Sequence, residues 1–92
     1  MNEKTGEAKL RNRVKALGGL AIKIFSSWFT GLPDRLVLMP GGKLWWVELK
    51  TTGKVPSPRQ EVVIAMLRRL GFEVRVIDTD ETLQAFLKEI AI

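Results

Sequence analysis

The chain has 92 residues, 46% hydrophobic and 27% charged, a composition expected of one small globular domain spanning residues 1–92. It has no cysteine, histidine or tyrosine, which excludes a disulfide framework, thiolate or imidazole metal sites, Ser-His-Asp and Cys-His catalysis, and a phosphotyrosine intermediate. Fifteen Lys and Arg against ten Asp and Glu give a formal charge of +5, a balance suited to a polyanionic partner because each neutralised phosphate releases counterions.

Residues 3–17 read as a helix, with Leu10, Val14 and Leu17 at helical spacing and Gly18-Gly19 ending it. Residues 20–25 (LAIKIF) read as a strand, and 26–33 as a loop carrying Trp28 and Phe29. A hairpin follows, with strands over 35–39 and 43–50 joined by Pro40-Gly41-Gly42. After a loop over 51–56, Ser57-Pro58-Arg59-Gln60 has the form of a helix start, with Ser at N-cap, Pro at N1 and Gln at N3. That helix extends to about Leu70, and residues 73–77 form a strand. Asp78-Thr79-Asp80-Glu81 has the D-x-x-E form of a further N-cap, and the last helix carries Leu83, Phe86, Leu87 and Ile90 on one stripe. The predicted order is α-β-β-β-α-β-α. Strands 1–3 form a meander, and the second helix crosses over to lay strand 4 parallel to a neighbour, giving an α/β mixed sheet flanked by helices.

Residues 1–15 are polar and predict no signal peptide, and no apolar run approaches the roughly 20 residues of a membrane span. The absence of cysteine fits a reducing cytosol. A chain this short buries a modest share of its surface, so a homodimer is expected to cover the remainder.

Three residues on or beside the hairpin carry potential chemistry. Residues i and i+2 of a strand share a face, so Glu48 and Lys50 project side by side. Asp34 leads into the neighbouring strand, and the hairpin can bring it to Glu48. Two carboxylates at one sheet edge repel each other unless a cation lies between them. One or two carboxylates with water and phosphate oxygens is the ligand set Mg²⁺ favours, and the Leu49 carbonyl can complete it. Such an ion acidifies bound water and polarises a phosphoryl oxygen, as phosphodiester hydrolysis requires, with Lys50 beside the developing charge. The plainer alternative is an exposed Glu-x-Lys ion pair of little energetic weight. Against it, Leu44, Trp46, Glu48 and Lys50 share one face, so the charges continue an apolar face.

Gly31-Leu32-Pro33-Asp34-Arg35, Pro40-Gly41-Gly42, Trp46-Val47-Glu48-Leu49-Lys50 and Ser57-Pro58-Arg59-Gln60, in that order, resemble the PD-(D/E)XK nuclease superfamily. Within it the pattern resembles the VRR-NUC family, the virus-type replication-repair nucleases, in the short stand-alone form typical of phages. The resemblance runs from about Glu7 to Val76. It implies a restriction-endonuclease-like α-β-β-β-α-β core with an added C-terminal helix. It also implies a metal-dependent DNA endonuclease using Mg²⁺ or Mn²⁺, commonly a homodimer, preferring branched, flapped or four-way-junction DNA. For a phage protein this places it in the cytoplasm of a bacterial host. Carried over residue by residue, Asp34 and Glu48 resemble the metal carboxylates and Lys50 the catalytic lysine. Gln60 resembles the glutamine opening the following helix, and Glu7 the helix-1 glutamate that meets the metal directly or through water.

The residues themselves leave Glu7 and Gln60 open. Glu7 precedes Leu10, Val14 and Leu17 by 3, 7 and 10 positions, so it shares their core-facing stripe, where a carboxylate needs Lys50 or a metal opposite it. It is equally explained as a solvated first-turn glutamate favourable to the helix dipole. Gln60 is accounted for by the capping box, yet it shares a stripe with Val63, Ile64 and Leu67 and can cap the helix and face the site at once.

Arg35, Lys54 and Arg59, with Ser57 at a helix N-terminus, are candidates for contact with the DNA backbone. Lys4, Lys9, Arg11, Arg13 and Lys15 read as a solvated helix face. Trp28, Phe29 and Trp45 can stack on unpaired bases, but core or dimer interface is the expected use of such residues. Two other functions stay in competition: a non-catalytic basic nucleic-acid-binding module, and a restriction-type or RNA-processing nuclease on the same fold. Clustered carboxylates argue against the first, since without a metal they repel phosphate.

Overall fold

The computed structural model describes residues 1–91. Helix α1 (Glu3–Ala16) is followed by strands β1 (Leu20–Lys23), β2 (Arg35–Met39) and β3 (Lys43–Leu49), helix α2 (Pro58–Arg69), strand β4 (Glu73–Ile77) and helix α3 (Asp80–Ile90). This is the expected α-β-β-β-α-β-α order. The sheet has the order β1-β2-β3-β4; the first three strands are antiparallel, and β4 lies parallel to β3, as a helical crossover permits.

Each face of the sheet is covered by its own helices. Val37, Met39, Trp45, Val47, Leu49 and Ile77 pack with Leu10 and Val14 of α1 and with Leu83, Phe86, Leu87 and Ile90 of α3. On the opposite face, Val63, Ile64 and Leu67 of α2 pack on Val74, with Trp46 and Val76 beside them. Two covered faces explain why β3 reads Leu-Trp-Trp-Val, with no polar alternation. The β1–β2 end of the α2 face is barer: Leu20 and Ile22, 54% and 38% exposed, stand in register with the half-buried Leu38 and Leu36. No described helix is long and apolar enough to cross a membrane.

Local sequence sets the element ends. Ser57 and Gln60 form the expected reciprocal capping box at α2, and Gly41 and Gly42 turn the hairpin with φ of 85° and 75°, a region side chains other than glycine rarely enter. Three expectations need correction. Strand β1 stops at Lys23, opposite Arg35, because the chain before β2 turns away to pack on α2 and leaves residues 24–25 no partner beyond the bond from Ile24 N–H to the Asp34 carbonyl. The N-cap of α3 is Thr79, with Thr82 at N3, one residue later than the D-x-x-E reading; the Thr79 hydroxyl accepts from Thr82 N–H at 3.0 Å. Leu17 is the C-cap of α1 and is 38% exposed, so the buried stripe of that helix ends at Val14.

Candidate active site

Asp34, Glu48 and Lys50 converge where β2 begins and β3 ends. Arg35 pairs with Val47 in the ladder, so the antiparallel register sets Asp34 opposite Glu48. Glu48 Oε1 accepts from the Asp34 backbone N–H at 3.1 Å, and Asp34 Oδ1 accepts from the Leu49 N–H at 3.2 Å. Each acid thus grips the other's strand. An extended residue points its N–H and C=O to the same side, so the Leu49 carbonyl faces the Asp34 side as well. Lys50 Nζ lies 3.2 Å from Glu48 Oε2, realising the one-face spacing of the Glu-x-Lys pair.

Glu48 is only 2% exposed, and a buried carboxylate must have its lone pairs filled. Its second oxygen also accepts from Gln60 Nε2 at 2.9 Å. The other end of that amide, Oε1, accepts from Ser57 N–H at 2.9 Å. One glutamine therefore caps α2 and ties it to the acid.

Burial pushes the carboxyls of both Asp34 and Glu48 above their ordinary range. For Asp34, desolvation is the main cause and the charge of Glu3 adds to it, while the Arg35 guanidinium and the Leu49 N–H oppose it. For Glu48, desolvation is reinforced by the Asp34 charge and opposed by Lys50 and Gln60. Each acid has a cation against it, Arg35 at 3.0 Å from Asp34 and Lys50 at 3.2 Å from Glu48, and burial still favours the protonated form of both.

The remaining predicted residues divide. Glu7 does not meet Lys50 or Glu48; its Oε2 lies 2.6 Å from Arg35 Nη2. Arg35 is a correction: 4% exposed, it lies 3.0 Å from Asp34 Oδ2 and also donates to the Asp34 carbonyl at 3.2 Å, so it is not presented to a DNA backbone. It connects Glu7 to Asp34 and orients the latter. Ser57 stands exposed at the N-terminus of α2; its hydroxyl oxygen accepts from Gln60 N–H and its own N–H donates to Gln60 Oε1, and a hydroxyl that accepts keeps its own proton to donate. Lys54 and Arg59 are exposed as expected. Arg59 donates through Nε to the Thr30 carbonyl at 3.2 Å and stacks 5.3 Å from the centre of the Phe29 ring. Trp45 is core, edge-on to Phe86 at 6.1 Å, whereas Trp28 is 84% exposed. Among the described residues no group of three or more Asp, Glu, His or Cys side chains assembles around a common point.

Sequence reasoning passed over Glu3, whose charge reaches Asp34. It stands one helical turn before Glu7, and that i, i+4 spacing was the available signal. Gly31, which opens the motif leading into Asp34, has a packing role as well. At φ +90°, a Cβ there would stand 2.9 Å from both Arg59 Cγ and Val63 Cγ2, so glycine lets the loop before Asp34 close on α2.

The model of the VRR-NUC domain matches residues 2–81 of the chain. The chain belongs to the VRR-NUC family. It is 40% identical over 81 residues to "Putative nuclease p44" of Acyrthosiphon pisum secondary endosymbiont phage 1, covering 88% of this chain and 87% of that protein. A solved structure described as a VRR_NUC domain superposes with a TM-score of 0.87 at 30% identity, over 94% of each chain. This is a nuclease family, and its fold is the helix-flanked mixed sheet described above.

Proposed function

We propose that this VRR-NUC chain is a metal-dependent endonuclease that hydrolyses phosphodiester bonds in DNA, selective for branched, flapped or four-way-junction substrates. The observation carrying the reading is the Asp34–Glu48 pair, with Glu48 buried, Asp34 half-buried and Lys50 beside them. A module that only bound polyanions would gain nothing from two acids lifted above their usual pKa. The two carboxylates and the neighbouring carbonyl are all oxygen donors, which fits Mg²⁺ or Mn²⁺ held by Asp34, Glu48 and the Leu49 carbonyl. When bound, that ion supplies an acidified water and a polarised phosphoryl oxygen.

The chain's own residues do the rest. Lys50 holds a positive charge at the site rim, 22% exposed, where it stabilises charge developing on the scissile phosphate. Gln60 fixes the Glu48 carboxylate, and Arg35, backed by Glu7, fixes that of Asp34. Lys54 and Arg59 meet the DNA backbone. Two copies joined through the barer β1–β2 end of the sheet form a homodimer able to place paired cuts, working in the cytoplasm of a bacterial host.

Incubation of labelled duplex, flap and four-way-junction DNA with Mg²⁺, Mn²⁺ or EDTA, beside Asp34→Ala, tests the reading. Cutting should need the metal, vanish in the variant while DNA binding survives, and rank the substrates. Cutting that persists in EDTA, or in Asp34→Ala, sinks it.

A further inference from the structure

We propose that Trp28, displayed on the loop between β1 and β2, is a stacking platform for an unpaired base beside the scissile phosphate. It would thereby select DNA in which a nucleotide has left the duplex. The inference rests on the nuclease reading and names the residue that gives it substrate preference.

Trp28 is 84% exposed, although an indole is among the largest apolar surfaces a chain can bury. Its exposure is not that of a slack loop. The loop base is closed by Ile24 N–H donating to the Asp34 carbonyl at 2.8 Å. Its interior is held by Phe29 N–H on Ser26 Oγ at 3.1 Å and by Arg59 on the Thr30 carbonyl at 3.2 Å. Phe29, pinned beneath the Arg59 guanidinium at 5.3 Å, meets Trp28 edge-on, with centroids 5.8 Å apart and planes at 84°. The indole is thus oriented in advance by a braced neighbour while remaining open to solvent, the property a stacking surface needs.

Position and charge name the occupant. The loop runs directly into Asp34, and its brace, Arg59, adjoins Gln60, which holds Glu48. A strand with a phosphate at Asp34 and Glu48 therefore passes this loop. The exposed Lys23 at the foot of the loop and the exposed Arg59 favour a polyanion. A second copy, carrying the same +5 charge, has instead the apolar Leu20–Ile22 surface of the sheet to cover. Stacking on an aromatic ring tolerates any base, which suits a preference for DNA structure over sequence.

The test uses the full chain with Trp28→Ala and Trp28→Phe. Binding of a labelled duplex, and of the same duplex with a single-stranded flap, is measured by fluorescence anisotropy in EDTA. Trp28→Ala should weaken flap binding by about 5- to 150-fold, the range for loss of one stacked base, leave duplex binding within about twofold, and be largely rescued in Trp28→Phe. Equal loss on both DNAs, or no loss on the flap, overturns the proposal. So does a change of oligomeric state in sedimentation, which would assign Trp28 to an interface between copies. Because binding is read without metal, Trp28-dependent flap binding by a chain that never cuts would remove the nuclease reading alone. Cutting that is indifferent to Trp28 would remove this proposal alone.

Discussion

Gln60 and Glu48 are joined by a 2.9 Å hydrogen bond whose donor amide is held at its other end by the Ser57 N–H, also at 2.9 Å. Helix capping and site geometry thus meet in one side chain, and substitution can separate them. Ser57→Ala removes only the cap and should cost about 1 kcal/mol, or about 4–8 °C in melting temperature for a domain of this size, with little change in the turnover of folded enzyme. Gln60→Glu keeps a capping oxygen but sets a carboxylate against Glu48. It should lose cleavage and melt lower as well, because a like charge then meets a carboxylate that is 2% exposed. Calorimetry beside single-turnover cleavage checks the pair, and equal effects of the two substitutions would refute the separation.

Lys50 is the positive charge nearest Glu48, at 3.2 Å. Lys50→Ala should reduce turnover about 100- to 1000-fold, the usual loss when a charge stabiliser is removed from a reacting centre, while the Mg²⁺ concentration for half-maximal rate moves far less. An unchanged rate would take Lys50 out of the chemistry.

Arg35 is buried between two acids, so its removal leaves Asp34 and Glu7 without their shared partner. Arg35→Ala should destabilise by about 3 kcal/mol, and Arg35→Lys should recover part of this, since an ammonium keeps the charge but not the fork. Glu7→Gln leaves Arg35 paired to Asp34 and, with Glu7 37% exposed, should cost about 1 kcal/mol or less. Denaturation of the three variants, with cleavage beside it, assigns Glu7. Abolished cutting with unchanged stability in Glu7→Gln would make it a metal contact, not the anchor of Arg35.

Asp34 and Glu48 hold their protons more tightly when folded. The stability they contribute without metal is fully present below the ordinary carboxylate range and is lost as pH rises through their raised values. A cation needs the ionised pair and therefore acts in the opposite sense. The melting-temperature gain from Mg²⁺ should be small below the ordinary carboxylate range and grow as pH rises through the raised values, with cleavage rising over the same interval. A gain from Mg²⁺ independent of pH, measured by thermal shift, would argue that the ion binds elsewhere.

Leu20 and Ile22 lie on the uncovered end of the α2 face. Leu20→Lys or Ile22→Lys should convert a dimer to a monomer in analytical ultracentrifugation while leaving the monomer folded, because charge on an edge strand opposes association and touches little of the core. A wild-type chain that is monomeric at working concentration would remove the dimer.

Most features set by neighbours in the chain were legible in the residues alone. The capping box at Ser57–Gln60, the glycine turn of the hairpin, the common face of Glu48 and Lys50 and the approach of Asp34 to Glu48 all follow from helical or strand periodicity and a hairpin register. The C-terminal end of β1 and the cap of α3 were not legible, because apolar run length and D-x-x-E spacing do not reveal which strand residues have a partner or which hydroxyl reaches an N–H. That Arg35 turns inward to Glu7 and Asp34, that Glu3 bears on Asp34, and that of three tryptophans Trp45 is core and Trp28 is displayed emerged only from the packing of distant elements. The reason is that burial and charge pairing are properties of which surfaces meet across 28 residues of chain, as Glu7 and Arg35 do, and residue type alone leaves both fates open to an arginine or a tryptophan.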